Sequence, residues 1–106
     1  MVKVEIDSGV CGHKATVRAM GGEAYTVRIE VDSTCPHVQN MAAGLGEVNA
    51  LREIGLRDGL PWVLRTAYEH CAHAACPVPS GLIKAIEVAA GLALPRDVSM
   101  RITRDE

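Results

Sequence analysis

Between Val2 and Asp32 apolar and polar residues exchange places at nearly every step, and this alternation restricts the fold more than any other feature of the chain. Val2, Val4 and Ile6 alternate with Lys3, Glu5 and Asp7. Ala15, Val17 and Ala19 alternate with Lys14, Thr16 and Arg18, and Tyr25, Val27, Ile29 and Val31 with Thr26, Arg28, Glu30 and Asp32. Successive side chains of a strand point to opposite faces, so each segment predicts a strand with one apolar face and one wet face. The connection Ser8 to His13 contains two glycines, and Gly21-Gly22 can take the positive φ of a tight reversal. Residues 2 to 32 therefore predict an antiparallel meander whose apolar face needs a cover.

The period changes at Ser33-Thr34-Cys35-Pro36, after which Val38, Met41, Ala42 and Leu45 follow helical spacing. Pro36 suits a first helical turn, where no N–H is needed. Glu47 to Ile54 predicts a second short helix with Gly55 as its cap. Leu60, Val63, Leu64, Ala67, Tyr68 and Cys71 form a third helical stripe, which points the Cys71 thiol inward. Ser80 is the expected N-cap of a helix carrying Leu82, Ile83, Ile86, Ala89 and Ala90 and ending near Gly91. Val98, Met100 and Ile102 alternate as a last strand. The expected fold is a two-layer α+β domain over residues 1–106: a βββ meander, then helices, then β, giving a four-stranded mixed sheet with three to four helices on one face.

Composition narrows the function. A formal net charge of -2, no Lys/Arg run and 3% aromatic residues argue against a nucleic-acid partner. No basic-then-apolar opening signal is present, and the apolar stretches are too interrupted to span a bilayer, so the chain reads as cytoplasmic. In that compartment four cysteines suggest metal ligands or reactive thiols more than disulfides.

Those cysteines fall at element ends, and three of the four have a histidine within two residues. Cys11 lies in Val-Cys-Gly-His, Cys35 in Ser-Thr-Cys-Pro-His, and Cys71 and Cys76 in His-Cys-Ala-His-Ala-Ala-Cys-Pro. In a meander the first and third strands end at one edge of the sheet, which brings Cys11 and Cys35 together. Cys71 and Cys76 are close along the chain. If Cys76 shares that edge, the helix from Ser80 runs away from it, and the last strand returns parallel to the first and third through a right-handed crossover.

Cys35 before Pro36 sits at a helix N-terminus, where N–H groups and the macrodipole favour a thiolate. Gly9, Gly12, Ala72, Ala74 and Ala75 leave room for a bulky cluster, and Cys-x4-Cys is wider than the close pairs usual in structural zinc sites. An iron–sulfur cluster, of the [4Fe–4S] type, therefore ranks above zinc, with Cys11, Cys35, Cys71 and Cys76 as ligands. The plain alternative is four thiols filling space in the core, which suits Cys71 best. His37 and His70 read as surface or hydrogen-bonding groups, and His13 and His73 as the better reserve ligands. Asp7, Glu30 and Asp32 read as a solvated face, and Trp62 and Tyr68 as core or interface.

The phrases Cys-Gly-His, Ser-Thr-Cys-Pro-His and His-Ala-Ala-Cys-Pro-Val-Pro together resemble a small uncharacterised four-cysteine domain family of anaerobic prokaryotes, over nearly the whole chain. The resemblance implies that the four cysteine motifs belong together, and brings no activity with it. Two function classes follow. One is a non-enzymatic cluster-binding protein that transfers electrons, or supplies cluster or sulfur, to a protein partner or within a self-associated form. The other is a thiol redox or sulfur-transfer enzyme, with Cys35 as nucleophile, His37 or His13 as base and Cys76 as resolving thiol. A zinc-stabilised structural or interaction domain is the third possibility.

Overall fold

The computed structural model describes residues 1–105 and has the expected α+β architecture. Strands β1 (Val2–Asp7), β2 (Lys14–Gly21) and β3 (Thr26–Ser33) form the meander. Val4 stands opposite Val17, and Val17 opposite Val31, in antiparallel register. Ala15, Val17, Ala19, Val27 and Ile29 are buried on one face, while Lys3, Glu5, Arg18, Arg28, Glu30 and Asp32 lie exposed on the other. The alternation thus has the meaning it has in any one-sided antiparallel sheet. At the β2–β3 reversal, Ala24 and Tyr25 both take positive φ (54° and 62°). Tyr25 accordingly belongs to the turn and is exposed instead of opening the third strand.

Four helices cover the apolar face: α1 (Pro36–Ala43), α2 (Ala50–Glu53), α3 (Trp62–His70) and α4 (Val78–Ala89). Met41, Leu45, Leu82, Ile86, Val17, Val27, Val63 and Val78 are the largest fully buried side chains. Each contributes about 1.5–3 kcal/mol relative to an exposed position. The α3 stripe is narrower than its spacing suggests, because Val63 and Ala67 are buried while Tyr68 is exposed. Helix α4 packs on β1 and β2. A Cβ on Gly81, in its first turn, would lie 3.0 Å from Ile6 Cγ1, and one on Gly21 would run into the carbonyl of Ala89, in its last turn. These two close approaches fix its direction. The helix starts where β1 ends and finishes over the Gly21 reversal.

Three sequence expectations need correction. The segment from Glu47 does not open as a helix: Glu47–Asn49 forms strand β4, paired antiparallel to β3 with Val48 opposite Val27. Gly46, at φ 39°, turns the chain there, and its carbonyl accepts the Ile29 N–H at 2.7 Å. Asn49 then caps α2 by accepting from the Leu51 N–H at 3.0 Å. Ser80 is not an N-cap, since α4 begins at Val78, with Pro79 in its first turn and both residues buried. The last correction concerns Val98 to Ile102, which form no strand. The sheet is therefore entirely antiparallel, in the order β1-β2-β3-β4, and not mixed. Alternation equips a segment to pair but does not supply an edge. Beside β3 the edge is taken by β4, and past Leu94 the described residues are exposed and pair with no strand.

Candidate functional site

The cysteine-bearing connections meet at the end of the sheet where β1 stops and β2 starts. Asp7 stands opposite Lys14, and Ala15 opposite Ser33, so the loop carrying Cys11 and the segment carrying Cys35 leave side by side. In the first loop, Gly9 (φ 79°) and Gly12 (φ 77°) provide left-handed turns, and the Gly9 N–H donates to Asp7 Oδ1 at 3.0 Å. Cys11 closes the 3-10 turn between these glycines and is exposed. A bond of 2.9 Å between His13 Nδ1 and Thr34 Oγ1 ties this loop to the residue before Cys35.

Cys35 is the N-cap of α1 and half-buried. Its N–H donates to Ser33 Oγ at 3.1 Å, and that hydroxyl donates to the Lys14 carbonyl at 2.9 Å. Gln39 reaches back from α1 to the Ser33 carbonyl at 3.0 Å. This local network fixes where the Cys35 backbone lies relative to β2. Cys71 caps the other end of a helix: its N–H donates to the Ala67 carbonyl at 2.8 Å, closing α3, while its own backbone is already extended. Its thiol turns inward, packs against the core and lies 3.8 Å from Met41 Sδ. The Cys76 N–H donates to the His73 carbonyl at 3.2 Å, a turn that delivers Cys76, half-buried, to the start of α4.

The electrostatics group three of these thiols. Burial pushes the Cys71 thiol up from 9.0 to about 11, and the neighbouring thiols of Cys76 and Cys35 add to the rise. A buried thiol beside other ionisable sulfurs resists becoming a thiolate, because the charge is poorly solvated and repelled. Cys76 and Cys35 thus bear on Cys71 from two other segments. Cys11 shares their end of the sheet on its exposed loop and takes no part in this. All four thiols are free. Among the described residues, no group of three or more His, Cys, Asp or Glu side chains is placed as a ready-made metal site. A soft metal bound here would require Cys71 to give up its proton first.

The histidines are less involved. His37, His70 and His73 are exposed, and His13 is half-buried with its Nδ1 engaged by Thr34. The spacing of the cysteines gave no sign of Met41 or Thr34, whose roles depend on contacts across 30 and 21 residues respectively. Nor did the sequence mark Glu53, which is only 3% exposed. Its two carboxylate oxygens accept the N–H groups of Val63 at 2.8 Å and Trp62 at 3.3 Å, satisfying the free start of α3. Glu53 also borders an open surface groove of about 490 Å³ with Arg52, Trp62, Arg65 and Asn49, to which no cysteine contributes.

Among the described residues no helix is long and apolar enough to cross a membrane. No curated protein and no solved structure matches the chain. A family model does match, over residues 2–102, which takes in all four cysteine motifs together with the segment after α4. With nearly the whole chain inside that match, the protein belongs to the DUF6951 family, described as a family of unknown function.

Proposed function

We propose that this domain binds an iron–sulfur cluster, of the [4Fe–4S] type, on Cys11, Cys35, Cys71 and Cys76, and passes electrons, cluster or sulfur to a protein partner. The observation that carries this reading is the approach of the Cys76 and Cys35 thiols to Cys71, from the turn before α4 and the start of α1 to the end of α3. The fourth ligand, Cys11, comes from a loop that Gly9 and Gly12 make adjustable and that His13 holds beside Thr34. Binding requires this loop and the thiol rotamers to close around the centre. Ala72, Ala74 and Ala75, all exposed, leave the approach between Cys71 and Cys76 uncrowded.

Purification without oxygen, with iron and sulfide supplied, tests this directly. The expected result is a brown protein whose iron and acid-labile sulfide contents are matched, with broad visible absorption from sulfur-to-iron charge transfer. A colourless protein holding one zinc per chain would replace this reading with a zinc-stabilised domain. The second reading is a thiol enzyme, with Cys35, at the N-cap of α1, as nucleophile, His37 or His13 as base and Cys76 as resolving thiol. That second reading requires thiol chemistry in protein that holds neither iron nor zinc, and it tolerates loss of Cys71.

A further inference from the structure

We propose that residues 97–103 are an exchanged β-strand, which pairs with the open edge of β1 in a second copy of this chain and makes the protein a reciprocal dimer. The first observation is the arm itself. Val98, Met100 and Ile102 alternate with Ser99, Arg101 and Thr103, a pattern otherwise found in this chain only where a strand has one face on the core. Yet Val98 is 68%, Met100 80% and Ile102 91% exposed. Three apolar side chains in step along an extended segment, all in solvent, form a half-built sheet surface that is left unburied in a single copy.

The second observation is the edge. β1 is the outermost strand of the sheet on its side, and among the described residues no strand covers it. Its inward-facing Val2, Val4 and Ile6 are only half-buried, in contrast to Val17 and Ala19 on the adjacent β2. The apolar layer beneath α4 is therefore incomplete along this edge. A strand laid parallel to β1 brings Val98 beside Val2, Met100 beside Val4 and Ile102 beside Ile6, extending that layer by one row. The same register sets Arg101 beside Glu5 and Ser99 beside Lys3 on the wet face. Opposite charges thus meet across the new pair.

The third observation is direction. Helix α4 ends over Gly21, at the end of the sheet where β1 begins, so an arm returning from there runs parallel to β1. This is the strand that the pattern of the sequence calls for. Folded back, the arm would complete its own sheet; extended, it offers the same surface to a second copy, whose arm can do the same in return. Exchange of an identical element in this way yields a closed dimer. The family match runs to Ile102, so the alternating arm lies within the domain shared by the family.

Sedimentation equilibrium of the full chain, compared with a chain ending at Arg96 and with the double variant Val98→Asp, Met100→Asp, tests the proposal. The expected result is twice the 11.3 kDa chain mass for the full chain and a monomer for both variants. Circular dichroism should keep the helical signal of the full chain in both variants, because the arm takes no part in the core. Hydrogen exchange should detect the pairing in β1, whose outward amides should be protected in the dimer and exchange freely in the truncated chain. A full chain that stays monomeric at millimolar concentration with unprotected β1 amides, or a dimer that survives both variants, would overturn the proposal. The arm contributes no cysteine or histidine, so loss of the dimer removes no candidate ligand and should not change cofactor content. The two readings can therefore fail separately.

Discussion

His13 Nδ1 lies 2.9 Å from Thr34 Oγ1, joining the loop that carries Cys11 to the segment that carries Cys35 across 21 residues of sequence. This bond is the only side-chain link found between those two cysteine motifs among the described residues. It makes His13 a positioning residue for the loop.

Thr34→Val removes the hydroxyl while keeping the shape, and leaves the Cys11 loop free to swing. Because partners that hold ligands in place typically govern metal affinity by 10–100-fold, cofactor loading should weaken by about tenfold. A competition titration with a chelator would read this, and a variant that loads like the parent would deny His13 and Thr34 any part in the site.

Replacement of each cysteine by alanine should lower iron and sulfide content in every case, since a four-ligand centre loses its closed coordination when one ligand goes. His70→Ala should leave both unchanged. Full occupancy in Cys71→Ala would remove Cys71 from the ligand set and point to three cysteines and one histidine. Full occupancy in Cys11→Ala would instead confine the centre to Cys35, Cys71 and Cys76.

Cys71 also carries a pH signature, since its folded thiol titrates near 11 against an ordinary value of 9.0. The folded state favours the protonated thiol, so this contribution to stability is fully present below about pH 9. It is then lost as the pH rises through about 11, because the unfolded chain gives up its proton first. Urea midpoints measured from pH 8 to pH 11 under reducing conditions should fall more steeply in the parent than in Cys71→Ala. Parallel slopes would mean that the Cys71 environment is as wet as the unfolded chain.

Glu53 holds the start of α3 from nine and ten residues away in sequence, accepting the N–H groups of both Trp62 and Val63. Hydrogen bonds to a charged group contribute about 1.5–3 kcal/mol each, so Glu53→Ala should destabilise the fold by about 3 kcal/mol once partial hydration of the gap is allowed for. Glu53→Gln keeps one acceptor and should lose roughly half of that. Chemical denaturation would check both, and a loss below about 0.5 kcal/mol for Glu53→Ala would show that water replaces the carboxylate without cost.

The meander is legible in the order of residues, because strands that bury one face must alternate and Val2 to Asp32 does so; the positive φ of the second reversal, however, falls on Ala24 and Tyr25 and not on Gly21-Gly22. The sequence by itself also determined the switch to helices at Pro36 and the end of the sheet to which Cys11 and Cys35 belong, since both follow from strand direction alone. Tertiary structure decided what depends on partners distant in the chain. Glu47–Asn49 became β4 because Gly46 turns the chain beside β3 and gives its carbonyl to Ile29, a contact that no local propensity encodes. Val98 to Ile102 have the pattern of a strand but pair with no strand of their own chain, so alternation fixed their capacity to pair and not their pairing. The raised thiol of Cys71 likewise arises from its burial against Met41 and the approach of Cys76 and Cys35, conditions that exist only once α1, α3 and α4 have packed on the sheet.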